Sequence, residues 1–133
     1  MNIVNDIQYP CYIGSIPKNS TKNSEELDSY KIFYYDTGTI KYIYDAIPSN
    51  DYNNCDCDLY YYERIGIVRA LCNFNRSIDL TDLPMIKCFS AIETTDYIQQ
   101  GLYEDNDGFV VMSVDGQFDL NDMKQELFWE IKR

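Results

Sequence analysis

The feature that most constrains the fold is a six-residue, largely apolar run at 109–114, with the sequence FVVMSV. Turn-forming residues bracket it, with Asn-Asp-Gly at 106–108 and Asp-Gly at 115–116. A short apolar, β-branched segment between two turn signals is typical of a buried strand. We therefore expect a sheet with this strand in its core.

A second sheet signal lies between Tyr30 and Tyr44. Two arms rich in aromatic and β-branched residues, 30–35 and 39–44, flank the sequence Asp-Thr-Gly at 36–38. Asp opens such a turn and Gly supplies a positive φ, which is the chemistry of a three-residue hairpin loop. The sequence predicts a β-hairpin here.

Residues 59–74 carry two conflicting patterns. Apolar side chains recur at helical spacing, at Tyr61, Ile65, Val68 and Cys72, but the tyrosine run and the nearby Ile and Val residues have high β-propensity. We favour a helix for the second half of the segment, and strand remains the alternative.

The other predicted elements rest on shorter patterns. One short strand is expected within residues 1–16, with Tyr9, Cys11 and Ile13 packing inward, and the polar segment 17–26 is expected to be a surface loop. Further helices are predicted from Thr81 through Ile92, with Pro84 in the first turn, from Thr94 to Gln100 before Gly101, and at the C-terminus. That last helix begins at Asp119 or Asp122 and has Leu120, Met123, Leu127 and Ile131 on one face.

These patterns predict an α+β fold in a single small domain spanning residues 1–133. An antiparallel sheet that includes the 30–44 hairpin and the 109–114 strand would pack against two or three helices, including a C-terminal helix. A chain of 133 residues is long enough to bury a core.

The chain begins without a basic-then-apolar signal pattern and contains no apolar run of about 18 residues, so neither secretion nor membrane insertion is expected. We expect a cytoplasmic protein. Its five cysteines are an odd number, and in that compartment they are expected to be reduced.

The sequence contains no histidine. This excludes Ser-His-Asp and Cys-His nucleophile systems and removes the commonest metal ligand. The Cys55-Asp56-Cys57 motif is too closely spaced for a structural zinc pair, and the other cysteines are isolated. The acidic segment 104–108 fails the calcium-loop pattern, because the first and last ligand positions fall on Tyr103 and Val114. We therefore expect no enzyme activity, no metal and no cofactor.

The distribution of charge in the second half of the chain is strongly one-sided. No Lys or Arg occurs between Lys87 and Lys124, whereas eight acids do, in a chain of net charge -11. They lie on turns and at a predicted helix start around one strand, so a shared surface is expected; a merely solvated face is the alternative. The predicted partner-binding residues are Tyr97, Tyr103, Glu104, Asp105, Asp107, Asp115, Asp119 and Asp122.

A pI near 4.2 repels nucleic-acid phosphates and anionic lipids but attracts a basic protein. No direct nucleic-acid binding and no membrane binding are expected. The leading hypothesis is an acidic inhibitor: a cytosolic bacterial immunity protein that blocks the active site of a basic toxin, with a nuclease as the first candidate. Combined charge reversal at Asp105, Asp107 and Asp119 should then slow association.

Three alternatives stay open at this point. The first is a phage- or plasmid-encoded nucleic-acid mimic that inhibits a DNA- or RNA-binding host protein, which would need acids spaced like phosphates. The others are a small enzyme or metal protein and an acidic subunit with a structural role.

Overall fold

The computed structural model describes residues 7–75, 79–119, 125–126 and 129–132. The described residues form ten strands and three helices, which confirms the predicted α+β class. The strands are β1 (Cys11–Pro17), β2 (Thr21–Leu27), β3 (Tyr30–Asp36), β4 (Lys41–Pro48), β5 (Leu80–Asp82), β6 (Ile86–Cys88), β7 (Asn106–Ser113), β8 (Phe118–Asp119), β9 (Gln125–Glu126) and β10 (Trp129–Lys132). The helices are α1 (Ser49–Asn54), α2 (Tyr61–Phe74) and α3 (Ala91–Gly101).

Two four-stranded sheets organise the fold. The first has the order β10-β7-β1-β6 and is antiparallel throughout; the second has the order β2-β3-β4-β5, in which only β4 and β5 are parallel. Strands β8 and β9 form a separate pair. The predicted hairpin is β3-β4 and the predicted core strand is β7, so these two elements lie in different sheets.

Alternating side chains of β3 build two different parts of the core. Phe33 and Tyr35 join Val110 and Met112 of β7 in one apolar cluster. Ile32 and Tyr34 join a second cluster, which also holds residues of α2. Because successive residues of a strand point to opposite faces, the two clusters cover opposite faces of β3.

The helices complete these clusters. Helix α2 contributes Tyr61 and Ile65 to the first cluster and Val68 and Leu71 to the second. Residues 61–74 form a helix, so the alternative prediction of a strand for this segment is wrong. Helix α3 covers the first sheet in a third cluster, where the half-buried Tyr97 and Ile98 pack with Phe109 and Val111.

The segment predicted as a surface loop is largely a strand. Residues 21–27 pair with β3 along their whole length, from Thr21 opposite Asp36 to Leu27 opposite Tyr30. β2 is an edge strand whose side chains are exposed or only partly buried. Edge strands tolerate charged and polar residues, which leaves no apolar alternation for a sequence pattern to detect.

The helix predicted from Thr81 to Ile92 is also wrong. Strand β5 pairs with β4, and β6 pairs with β1 through Ile86 opposite Ile13 and Cys88 opposite Cys11. The following helix, predicted at 94–100, begins earlier, after Ser90, whose Oγ accepts a hydrogen bond from the Glu93 N–H at 3.3 Å.

The C-terminal segment differs from the helix predicted there. Its described residues are strands, and β10 pairs with β7 from Trp129 opposite Val111 to Lys132 opposite Gly108. This pairing satisfies backbone groups along one side of the buried β7, a tertiary gain that outweighs a helical spacing of apolar residues. Residues 120–124 and 127–128, on which part of that prediction falls, lie outside the described residues.

Two glycines on helices should respond oppositely to alanine. A Cβ at Gly101 would lie 2.6 Å from a ring carbon of the buried Phe109, so Gly101→Ala is expected to cost about 1–3 kcal/mol. A Cβ at Gly66 meets nothing within 4 Å, so Gly66→Ala should stabilise α2 by about 0.5–1 kcal/mol. Urea unfolding measures both effects, and equal effects at the two sites would contradict the packing of α3 on Phe109.

Candidate functional site

Four of the predicted partner-binding residues lie close together, where α3 gives way to β7. Tyr103, Glu104 and Asp105 occupy the connecting turn, and Asp107 is the second residue of β7. Tyr103 is 94% exposed, and Glu104 and Asp105 are also exposed. This end of β7 therefore presents one aromatic ring beside several carboxylates.

The turn between β1 and β2 contacts two of these acids. Lys18 Nζ lies 3.4 Å from Asp105 Oδ1, and the backbone N–H of Asn19 donates to Asp107 Oδ2 at 2.8 Å. Asn19 has a φ of 58°, so Asp107 helps to hold a left-handed turn residue in place. The lysine partly offsets the charge of Asp105, and Asp107 has a structural role that the sequence did not indicate.

Tyr97 and Asp115, which the structure describes, do not join this cluster. Asp115 follows the far end of β7, and an eight-residue strand spans about 26 Å. Asp119 is in β8, beyond Asp115, and Asp122 lies outside the described residues. Tyr97 is half-buried against Phe109, with ring centroids 6.0 Å apart. Of the predicted residues whose side chains the structure describes, it therefore brings together Tyr103, Glu104, Asp105 and Asp107.

Helix α3 adds exposed residues that the sequence reasoning missed. Ile92 is 75% exposed near the start of the helix and Leu102 is 52% exposed just after it, while Glu93 and Asp96 are exposed between them. We define the α3 surface as Ile92, Glu93, Asp96, Gln99, Leu102, Tyr103, Glu104 and Asp105. The helix that carries this surface was predicted to begin at Thr94, whereas it begins three residues earlier, at Ala91.

The α3 surface alternates apolar and acidic groups: Ile92 precedes Glu93 and Asp96, and Leu102 and Tyr103 precede Glu104 and Asp105. Positions 92, 96, 99 and 103 are spaced three or four apart, so they follow one side of the helix and its last turn. Lys18 lies beside Asp105 of this surface, and Lys87 Nζ lies 5.4 Å from the centre of the Phe89 ring, two residues before α3 begins. Exposed apolar side chains grouped with acids are an arrangement that protein interfaces use.

A second group of charges is fully buried. Arg64 Nε donates to Asp45 Oδ1 at 2.8 Å, and both side chains have no solvent exposure. Arg64 Nη1 also donates to the carbonyl oxygens of Leu59 and Gly116. Burial raises the pKa of Asp45, while the guanidinium opposes that shift. Because solvent does not reach the pair, we assign it to positioning α2 against β4.

The cysteines offer no ligand set for a metal. Cys55 is exposed while Cys57 is buried in the core, and no group of three or more Cys, Asp or Glu side chains in the described residues is placed to hold an ion. Burial raises the pKa of the Cys11 and Cys72 thiols to about 11 and also raises those of Cys57 and Cys88. These four thiols are therefore held in the protonated form.

Stability is expected to fall as the pH rises from about 8.5, the ordinary thiol pKa, toward 11. In that window the unfolded chain has released protons that the folded chain retains, so rising pH favours unfolding. Below it, both states keep these protons and the effect disappears. Under reducing conditions the urea midpoint should be lower at about pH 10 than at about pH 8. Cys72→Ala should reduce the difference between these two midpoints. Equal midpoints would contradict this expectation.

No known family model matches the sequence, and no curated protein matches it either. Among the described residues, none of the helices has the length and apolar character needed to cross a membrane.

Proposed function

We propose that this protein is an acidic inhibitor that binds a basic protein through the α3 surface. The observation that carries the proposal is the row of exposed Ile92, Asp96 and Tyr103 along one side of α3, continued by Glu104 and Asp105. The apolar side chains supply contact area that is lost from water on binding, and the carboxylates between and beyond them attract cationic side chains.

The partner class follows from the charge. A net charge of -11 accelerates encounter with a cationic protein and disfavours binding to another acidic one. Enzymes that act on nucleic acids need cationic active sites to bind phosphates. A toxin nuclease is therefore the partner class that best matches the acidic α3 surface. In this proposal the chain is a cytosolic bacterial immunity protein, and its carboxylates occupy the positions of substrate phosphates.

The exposed apolar side chains favour this proposal over a nucleic-acid mimic. A mimic needs regularly spaced negative charge, whereas Ile92, Leu102 and Tyr103 interrupt the acids of the α3 surface with large uncharged groups. Such groups add nothing to an imitation of a phosphate backbone, but they suit a protein partner with apolar pockets.

Affinity capture from the source cells tests the proposal. The tagged protein should retain a basic protein, and the Glu104→Lys/Asp105→Lys variant should lose it. An Asp56→Lys/Asp58→Lys variant is the matched control, because both residues are exposed in the loop between α1 and α2 and the charge change is the same. The captured protein should show nuclease or other toxic activity that the wild-type chain suppresses.

Two results would overturn the proposal. One is an identified partner that is acidic, or one whose activity is unaffected by a saturating amount of the wild-type chain. The other is a partner that both double variants retain equally, because binding would then not depend on the α3 surface.

A further inference from the structure

Cys11 and Cys88 face each other across two strands. They are directly opposed in the antiparallel pairing of β1 with β6. Opposed residues in such a pair have side chains on the same face and Cα atoms about 4.5 or 5.5 Å apart, depending on the hydrogen-bonding position. Both separations fall within the range of about 4.4–6.8 Å that a disulfide spans.

The two thiols also share one environment. Cys11 is 0% exposed and Cys88 is 3% exposed, and both belong to the apolar cluster under α3. The Thr94 hydroxyl of the overlying helix lies 3.7 Å from Cys11 Sγ. Because the two residues are directly opposed in the register, their side chains are neighbours within this cluster.

We propose that Cys11 and Cys88 form a dithiol oxidation site that closes to a cross-strand disulfide by exchange with a low-molecular-weight disulfide. One cysteine, as its thiolate, attacks a sulfur of the reagent, which breaks the S–S bond and releases one thiol. The second cysteine then attacks the protein sulfur of the mixed disulfide and releases the other thiol. The protein loses two protons and two electrons, and the reagent takes up both as it becomes two thiols.

The edge strand β6 controls access to this site. It is three residues long, ends the first sheet, and pairs with β1 alone among the described strands. The closed site holds its thiols protonated and away from solvent, so exchange requires β6 to separate locally from β1. The reaction is therefore slow in the closed protein and accelerates under conditions that loosen the sheet edge.

No other two cysteines are opposed in the sheet registers of the described residues. Cys55 follows the end of α1, Cys57 is buried in the loop after it, and Cys72 is on α2. Cys55 is the exposed thiol, so it should react first and form a mixed disulfide without a partner. It therefore serves as an internal measure of reagent exposure.

The test treats the folded protein with oxidised glutathione, followed by proteolysis without reductant and mass spectrometry. We expect a peptide that links Cys11 to Cys88 as the main protein disulfide, formed more slowly than the glutathione adduct of Cys55. Thermal melting of the oxidised protein should occur at a higher temperature than that of the reduced protein, and added reductant should reverse the shift. Cys55→Ser should leave the linked peptide unchanged.

The Cys88→Ser variant completes the test. Its Cys11 should remain free or carry glutathione, and its melting temperature should not rise on oxidation. The proposal is overturned if wild-type Cys11 and Cys88 both stay free after Cys55 is fully modified, even at a temperature just below the melting transition. It is equally overturned if Cys11 pairs preferentially with Cys57 or Cys72. Mapping the wild-type chain gives this answer even when the variant does not fold.

Discussion

Replacing Arg64 with alanine is expected to lower the free energy of unfolding by about 3–5 kcal/mol. The substitution leaves the Asp45 carboxylate buried without its cation, and removes the hydrogen bonds to the carbonyl oxygens of Leu59 and Gly116. Among the described residues, the backbone N–H of Ala46, at 2.9 Å, is the donor that Asp45 then retains. Chemical denaturation followed by circular dichroism measures the loss.

Arg69→Ala is the matched control, because Arg69 is an exposed arginine on the same helix, and its loss should change stability by no more than about 0.5 kcal/mol. A double variant, Asp45→Leu/Arg64→Met, removes both charges and should be much more stable than Arg64→Ala. The contrary result is a double variant that is no more stable than Arg64→Ala. The stability lost in Arg64→Ala would then not come from an uncompensated buried charge.

The elements that the sequence predicts correctly are those specified by neighbouring residues. The hairpin β3-β4 follows from the Asp-Thr-Gly signal, although its strands are connected by the four residues 37–40 and not by the predicted three, since Asp36 pairs with Lys41. Strand β7 follows from its apolar run, although it begins at Asn106, within the first predicted turn. Helix α2 follows from a repeated apolar spacing, although its tyrosines favour a strand. In each case the local pattern and the tertiary structure agree, so a short window of sequence is sufficient.

The elements that it misses depend on distant partners. β2 exists because β3 offers it a ladder of hydrogen bonds, and β10 pairs with β7 although the apolar spacing around it is helical. Strands β5 and β6 are three residues long and leave too few positions to show a period of two. Propensity is a weak guide wherever such pairing is available.

The candidate site shows the same division. A turn was predicted at 106–108, but those residues begin β7, and the turn that carries Glu104 and Asp105 lies just before them. The contact between Lys18 and Asp105 could not be predicted, because it joins residues far apart in the chain. The buried pair was also missed, because an irregularity in β4 creates its geometry. The register shifts there, so Asp45 faces Phe33 while Ile43 faces Tyr34, and a bulge of this kind redirects a side chain. Nothing in the local sequence marks that shift.

The second large effect concerns association with the proposed basic partner. The Glu104→Lys/Asp105→Lys variant should slow association about tenfold or more at low salt, because encounter between opposite charges is steered by the field at the binding surface. Asp107 is left intact because it accepts the Asn19 N–H, and Asp119 is left out because its side chain lies outside the described residues. Stopped-flow or biosensor kinetics with the captured partner measure the rate.

Asp56→Lys/Asp58→Lys separates the local field from total charge. Each double variant replaces two negative charges with two positive ones, so the net charge changes from -11 to -7 in both. A purely global effect would slow both variants equally, whereas docking on the α3 surface predicts the larger effect for Glu104→Lys/Asp105→Lys. The difference should shrink as salt rises, since the screening length falls to about 8 Å at physiological ionic strength. Losing the exposed contact between Lys18 and Asp105 should lower the free energy of unfolding by no more than about 1 kcal/mol. Slower association of the variant would therefore reflect its changed surface and not unfolding.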